Sequence, residues 1–153
     1  MYTLADLTRM AGIKRRTIQL WAEGGVLIAE SATERQGSGV HRTFSRDEAI
    51  ICLILSRFAQ WNMSIGRLEK IAIALREYFL QNPESRAGIE QCIRGEETIR
   101  VTLDSAGMIS MTGGIDDNNR LATLLARMGT KNETIIGACI DGALAALRSE
   151  PKD

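Results

Sequence analysis

Two short amphipathic segments separated by a glycine constrain the fold of this chain more than any other feature. Apolar residues recur at helical spacing over residues 4–11, and Thr3 before them has a side chain that can cap a helix. Gly12 follows where a left-handed C-cap would end that helix. In residues 14–23 the apolar side chains again share one stripe, and Gly24 ends the segment. The sequence therefore predicts two short helices joined by a tight turn.

The residues that follow predict a β-hairpin. Residues 26–28 form a short apolar stretch, residues 34–39 are rich in glycine and polar side chains, and residues 40–44 alternate like a strand. Two short helices followed by such a hairpin are typical of a winged helix-turn-helix, whose second helix enters the major groove of DNA.

Two longer helices are predicted after this hairpin. Ser45 with Glu48 has the pattern of a capping box, and it opens a strongly apolar helix. Ser64 opens a second apolar helix, which Pro83 ends because proline cannot continue a helix. We therefore place the end of an N-terminal domain, residues 1–82, at this proline.

The second predicted domain, residues 83–153, combines helices with a second hairpin. Residues 84–94 suit a short helix, and residues 98–104 and 108–112 suit two strands separated by turn residues. The predicted fold class is thus mostly α with small β-hairpins: an N-terminal winged helix-turn-helix followed by a small α+β C-terminal unit.

Helices are expected to cover this second hairpin, because two strands alone are marginally stable in water. The candidates are residues 119–128 and 132–147. In the second candidate, glycines and alanines surround an apolar line, and small side chains allow another backbone to approach closely. This helix either packs on the hairpin or pairs with its copy in a second chain. The apolar line consists of Ile136, Ile140, Leu144 and Leu147.

Charge is unevenly divided along the chain although the formal net charge is zero. Residues 1–70 contain ten Lys and Arg against seven Asp and Glu, whereas residues 71–153 contain nine against twelve. A surface that binds phosphate is therefore expected in the first half.

Five short motifs of the first half occur in an order that is typical of one family of regulators. They are YTLADL (2–7), GIKRRTI (12–18), GVL (25–27), RTFS (42–45) and NMSI (62–65). Residues 2–75 therefore resemble the N-terminal domain of MerR-type transcription regulators. The resemblance implies binding to duplex DNA. It places Arg16 and Thr17 at the arginine and threonine of the family's recognition helix, and Arg42 at a wing arginine.

The chain departs from that family in three respects. Leu20 and Trp21 stand where the family commonly has paired tyrosines, and Gln19 replaces the arginine before them. Pro83 interrupts the long helix through which such regulators usually dimerise. The C-terminal cysteine loop of the metal-sensing members is absent, so the sequence does not indicate metal sensing.

The candidate DNA-contacting residues lie in the second helix and the first hairpin. Basic residues at a helix start oppose the helix dipole, and this cost favours a role in binding. Arg16 has the geometry to pair with guanine, and Gln19 either pairs with adenine or faces solvent. Trp21 can donate its indole N–H to a phosphate, although a core position is favoured for both Trp21 and Trp61. The full set is Lys14, Arg15, Arg16, Thr17, Gln19, Trp21, Arg35, His41 and Arg42.

Little in the sequence indicates catalysis or a metal. The chain has one histidine and no glycine-rich phosphate loop after a strand, and helix capping explains Asp116 and Asp117 better than acid-base chemistry. The three cysteines lie far apart inside apolar runs and suggest buried thiols. We expect no enzymatic activity, metal or cofactor. No window is apolar enough to cross a membrane, and we expect a cytoplasmic, nucleoid-associated bacterial protein without membrane contact.

The function that these observations favour is sequence-specific regulation of transcription by a homodimer on double-stranded DNA. A dimer is expected because one short helix and one wing bury too little surface for strong specific binding. The C-terminal unit is a candidate site for a small-molecule effector or a protein partner. The alternatives are a phage-type excisionase or architectural DNA-bending protein, and an adaptor that binds proteins.

Overall fold

The structure is a computed structural model. It describes residues 1–30, 42–96, 99–103, 109–113, 136–139 and 141–147. Over these residues the protein is mostly helical with two small antiparallel sheets, as the sequence predicts in outline. The chain divides into two compact parts, a first unit, Met1–Ile73, and a second unit, Ala74–Asp153.

The first unit is built from short elements at its start and longer helices at its end. The strands are β1 (Tyr2–Thr3) and β2 (Thr43–Phe44), and the helices are α1 (Leu4–Ala11), α2 (Arg15–Glu23), α3 (Arg46–Ala59) and the first part of α4 (Ile65–Gln81). Helix α1 packs against both α2 and α3.

Helix α1 begins and ends where the sequence predicts. The Thr3 hydroxyl accepts a hydrogen bond from the backbone N–H of Asp6 at 3.3 Å, and the Asp6 carboxylate accepts the backbone N–H of Thr3 at 2.8 Å. This reciprocal pair satisfies two groups that a helix start leaves unpaired. Gly12 at the other end has φ of 65°, a left-handed conformation that glycine adopts without steric cost.

The strand β2 pairs with the N-terminus of the chain. Tyr2 lies opposite Phe44 and Thr3 opposite Thr43 in an antiparallel register, a pairing that the sequence did not predict. The backbone N–H of Glu30 donates to the carbonyl of Thr43 at 2.9 Å. The rest of the predicted first hairpin, residues 31–41, lies outside the described residues.

Helix α3 forms the core of the first unit, with half of its predicted capping box. The Ser45 hydroxyl accepts from the backbone N–H of Glu48 at 3.2 Å. The Glu48 carboxylate, only 8% exposed, does not return to Ser45 but accepts the backbone N–H of Ile28 at 2.9 Å. The carboxylate thus makes a longer-range hydrogen bond in place of the local one.

A buried thiol also lies in α3. Cys52 is fully buried, and burial, followed by the nearby Glu48 carboxylate, raises the pKa of its thiol to about 12. Cys52 and Cys92 are both buried, as their positions in apolar runs predict.

The end of α3 corrects one prediction. Trp61, expected in the core, is 47% exposed and packs only its edge against Phe58, with ring centroids 5.6 Å apart. It lies beyond the last residue of α3, in a turn where Asn62 has a left-handed φ of 54°, so the helical stripe that placed it inside does not extend that far. Ser64 then accepts from the N–H of Arg67 at 3.4 Å and opens α4 as predicted.

The second unit contains the rest of α4 and the elements after it. Helix α4 ends two residues before Pro83, which is the first residue of α5 (Pro83–Arg94). Three antiparallel strands follow, with β3 in the middle: β3 (Ile99–Leu103), β4 (Ile109–Gly113) and β5 (Ile136–Cys139). A short helix α6 (Asp141–Leu144) and a 3₁₀ turn (Ala145–Leu147) then pack against α5.

The predicted second hairpin is confirmed in its strands. Ile99 lies opposite Gly113 and Leu103 opposite Ile109, in the antiparallel register that the two alternating segments predict. The turn between them and the predicted helix over residues 119–128 lie outside the described residues.

The predicted helix over residues 132–147 is wrong for residues 136–139 and confirmed for residues 141–147. Residues 136–139 form β5, with Ile136 opposite Leu103 and Cys139 opposite Arg100. Residues 141–147 are helical. Glycine and alanine at helical spacing suggested a helix, but glycine has low helix propensity and the free edge of β3 offers backbone hydrogen bonds to a third strand. The segment therefore completes the sheet.

The boundary between the two units falls inside α4, before the predicted boundary at residues 82–83. The second half of α4 thus groups with the C-terminal elements. The sequence prediction relied on turn residues and a proline to locate the boundary. Such residues do not mark a boundary that falls inside a continuous helix.

Candidate nucleic-acid interface

Helix α2 has one buried face and one exposed face. Ile18 and Trp21 are buried at 0% and 2% exposure, and the carbonyl of Trp21 accepts the backbone N–H groups of Val26 and Leu27. This corrects the inclusion of Trp21 among the DNA-contacting residues, because so buried an indole has no surface to offer a phosphate. The core position that the sequence favoured for Trp21 agrees with its burial.

The exposed face of α2 starts with three cations. Lys14 is the N-cap residue but makes no side-chain hydrogen bond to the helix, and the side chains of Lys14, Arg15 and Arg16 are all exposed. Within the described part of the chain, Lys14 and Arg15 have neither an ion-pair partner nor a side-chain hydrogen bond. Helix starts leave backbone N–H groups unpaired, so positive charge and free donors coincide here.

A shallow depression of about 540 Å³ connects this face of α2 with two other parts of the first unit. It is open to solvent on the outside. Its walls come from the start of α1, from one face of α2 and from the residue before β2: Thr3, Leu4, Ala5, Arg15, Gln19, Glu23 and Arg42. We call this depression the α2 groove. It brings together Arg15, Gln19 and Arg42, which are distant in sequence and which the sequence analysis selected independently.

Glu23 is a groove residue that sequence reasoning missed. Its Oε1 accepts a hydrogen bond from Gln19 Nε2 at 2.8 Å, and its Oε2 lies 3.8 Å from Arg16 Nη1. Spacings of four and seven residues place all three side chains on one face of a helix, and this signal was available in the sequence. The exposed face of α2 therefore has a connected polar row of Arg16, Gln19 and Glu23.

The remaining candidate residues divide between the groove and other places. Thr17 is half-buried and lines a second, smaller cleft of about 310 Å³ between α2 and the α3–α4 connection, so it does not join the α2 groove. Arg42 is half-buried in the groove wall. Arg35 and His41 lie outside the described residues.

No protein-family model matches this chain, and no curated protein sequence matches it. Over the described ranges, no group of three or more His, Cys, Asp or Glu side chains is arranged to hold a metal ion. None of the described helices has the length and apolar character needed to cross a bilayer.

Proposed function

We propose that this protein is a sequence-specific regulator of transcription that binds duplex DNA, with its first unit acting as a MerR-like winged helix-turn-helix. In this proposal α1 and α2, with the turn at Gly12, form the helix-turn-helix, and α2 is the recognition helix. The chain that returns to the core through β2 belongs to the wing. Packing of α1 against both α2 and α3 supports this arrangement, because a recognition helix needs a rigid base.

The observation that carries the proposal is the α2 groove. Arg15 from the helix and Arg42 from the wing exit share its wall, so cations from two distant segments face one surface. An α-helix fits the major groove of B-DNA, which is about 12 Å wide, and the exposed face of α2 has the side chains that contact bases and phosphates there. Arginine pairs with guanine O6 and N7, and glutamine with adenine N6 and N7.

The proposed molecule is a homodimer on two half-sites about one helical turn of DNA, roughly 34 Å, apart. We do not place the surface for pairing on residues 132–147, for which the sequence allowed either packing on the hairpin or pairing with a second chain. Leu144 and Leu147 are buried within a single chain, and residues 136–139 are used by the sheet. The second unit remains the proposed place for an effector or a protein partner.

Selection of duplexes from random DNA by the full-length protein tests the proposal. We expect a preferred sequence with two related half-sites, bound far more tightly than a scrambled duplex in fluorescence anisotropy. The triple variant Lys14→Ala, Arg15→Ala, Arg16→Ala should lose this preference and lower the slope of log K against log salt by roughly two to three for each protomer bound.

A matched control is Arg94→Ala, which removes an exposed cation that pairs with Glu96 in the second unit. This variant should bind both duplexes like the unchanged protein. Failure to enrich any duplex, or equal binding by the triple variant and the control, contradicts the proposal.

A further inference from the structure

Glu23 is an unexpected residue in a surface proposed to meet DNA. It is the only acidic residue of α2, and it lies in the same groove as Arg15 and Arg42. A carboxylate repels phosphate, so its presence weakens every contact with the DNA backbone that these cations would make. An acidic residue here opposes affinity for DNA in general.

The contacts of Glu23 link it to base recognition. One carboxylate oxygen holds the Gln19 amide at 2.8 Å, and the other lies 3.8 Å from the Arg16 guanidinium. These are the two side chains with the geometry to read guanine and adenine. Glu23 therefore contacts Gln19 more closely than Arg16, and an exposed ion pair at the longer distance is worth little.

A carboxylate can itself accept hydrogen bonds from DNA, but only from amino groups. In the major groove these are cytosine N4 and adenine N6. Adenine also presents its N7 acceptor beside the amino group, and an acceptor repels a carboxylate. The cytosine edge presents the amino donor without such a neighbour, so it is the base edge that suits Glu23 best.

We propose that Glu23 is a specificity-determining residue that accepts the N4 amino group of a cytosine in the recognised site and penalises binding elsewhere. On a correct site Arg16 exchanges its weak contact with Glu23 for guanine, and the carboxylate gains the cytosine amino group. On any other duplex the carboxylate faces phosphates and acceptors without gain. This inference rests on the proposed DNA-binding function.

Two variants of the full-length protein, Glu23→Gln and Glu23→Ala, test this role. Glutamine can still hydrogen-bond to Gln19 but prefers adenine, so selection with Glu23→Gln should change one cytosine of each half-site to adenine. Glu23→Ala should lose preference at that position. Both variants should bind a scrambled duplex several-fold more tightly, and the ratio of specific to scrambled affinity should fall about tenfold for each half-site, the effect of one base contact.

Glu69→Gln is the matched control, because it removes the same charge from α4 of the first unit, outside the groove. It should keep the base preference of the unchanged protein. If Glu23→Gln also keeps that preference, or raises affinity for both duplexes equally, the specificity role is wrong while DNA binding stands. If the unchanged protein enriches no duplex, the proposed function and this inference both fail.

Discussion

The starts of α1 and α2 differ in how they treat the backbone N–H groups that a helix start leaves unpaired. At α1, Thr3 and Asp6 satisfy each other's backbone N–H groups through their side chains. At α2, Lys14 makes no side-chain cap, and two arginines follow it. A good N-cap contributes about 1 kcal/mol, and cations at a helix start cost some tenths more. The start of α2 therefore forgoes stability that α1 has.

Helix α2 is stabilised by its buried face and by the turn at its C-terminal end. Ile18 and Trp21 are buried, and the Trp21 carbonyl accepts two N–H groups from the turn that follows the helix, at 2.8 and 3.2 Å. Because these contacts lie away from the start of α2, we expect that start to be available to bind an anion. Substitutions there should change binding, and substitutions at the start of α1 should change stability.

The largest expected effect is on binding. Arg16→Ala should cost roughly 1–3 kcal/mol of specific affinity and relax preference at one base pair of each half-site. Its unfolding midpoint in urea should stay close to that of the unchanged protein, since Arg16 is exposed and its ion pair with Glu23 is long. A large fall in stability without a change in base preference would contradict the expectation that the start of α2 serves binding rather than stability.

A smaller effect is expected on stability at α1. Thr3→Val keeps the shape of the side chain but removes the hydroxyl, and it should lower the free energy of unfolding by about 1 kcal/mol at neutral pH. Urea unfolding followed by circular dichroism measures this change. Arg15→Ala, the matched substitution at the start of α2, should have almost none.

The loss caused by Thr3→Val should also depend on pH. Hydrogen bonds from the Thr3 side chain and then its backbone, with a weaker contribution from Arg9, hold the pKa of Asp6 below its ordinary value. This stabilisation is complete above the ordinary pKa, near 4, and disappears as pH falls through the lowered value. The stability difference between the two proteins should therefore shrink in acid, and a difference independent of pH would contradict the role of the Asp6 carboxylate.

The smallest effect tests whether the missing cap at α2 can be restored. Lys14→Ser supplies a capping hydroxyl and removes a cation, so it should raise the free energy of unfolding by about 0.5–1 kcal/mol while weakening DNA binding a few-fold. Lys14→Gln separates the two effects, because it removes the charge without adding a good cap. If Lys14→Ser strengthens binding, the start of α2 is not adapted to an anion.

Local chemistry explains most of what the sequence predicts correctly. Thr3, Ser45 and Ser64 cap helices, Gly12 ends one, and Pro83 separates two, because each acts on the backbone within a few residues. The strands of the second hairpin are predicted for the same reason, since their alternation is local.

Interactions between distant residues account for two of the errors, whereas Trp61 was misplaced because α3 ends before it. Residues 136–139 form a strand because they pair with the edge of β3. The local sequence of residues 136–139 does not show that such an edge forms elsewhere in the chain. The Glu48 carboxylate accepts the backbone N–H of Ile28, twenty residues earlier in sequence, and not the N–H of the nearby cap residue. In the candidate site the cations were predictable as a cluster, whereas the groove that joins Arg42 to Arg15 required the pairing of β2 with the N-terminus.

The buried Cys52 thiol of α3 can be used to measure how often the first unit opens. Cys52 is the only cysteine of that unit, and burial raises the pKa of its thiol to about 12, so thiolate is scarce at neutral pH. While the unit is folded, we expect alkylating reagents and mild oxidants to react very slowly with the Cys52 thiol. The rate at which Cys52 becomes labelled therefore measures how often the core of α3 is exposed, and a DNA duplex that binds the folded unit should slow that labelling.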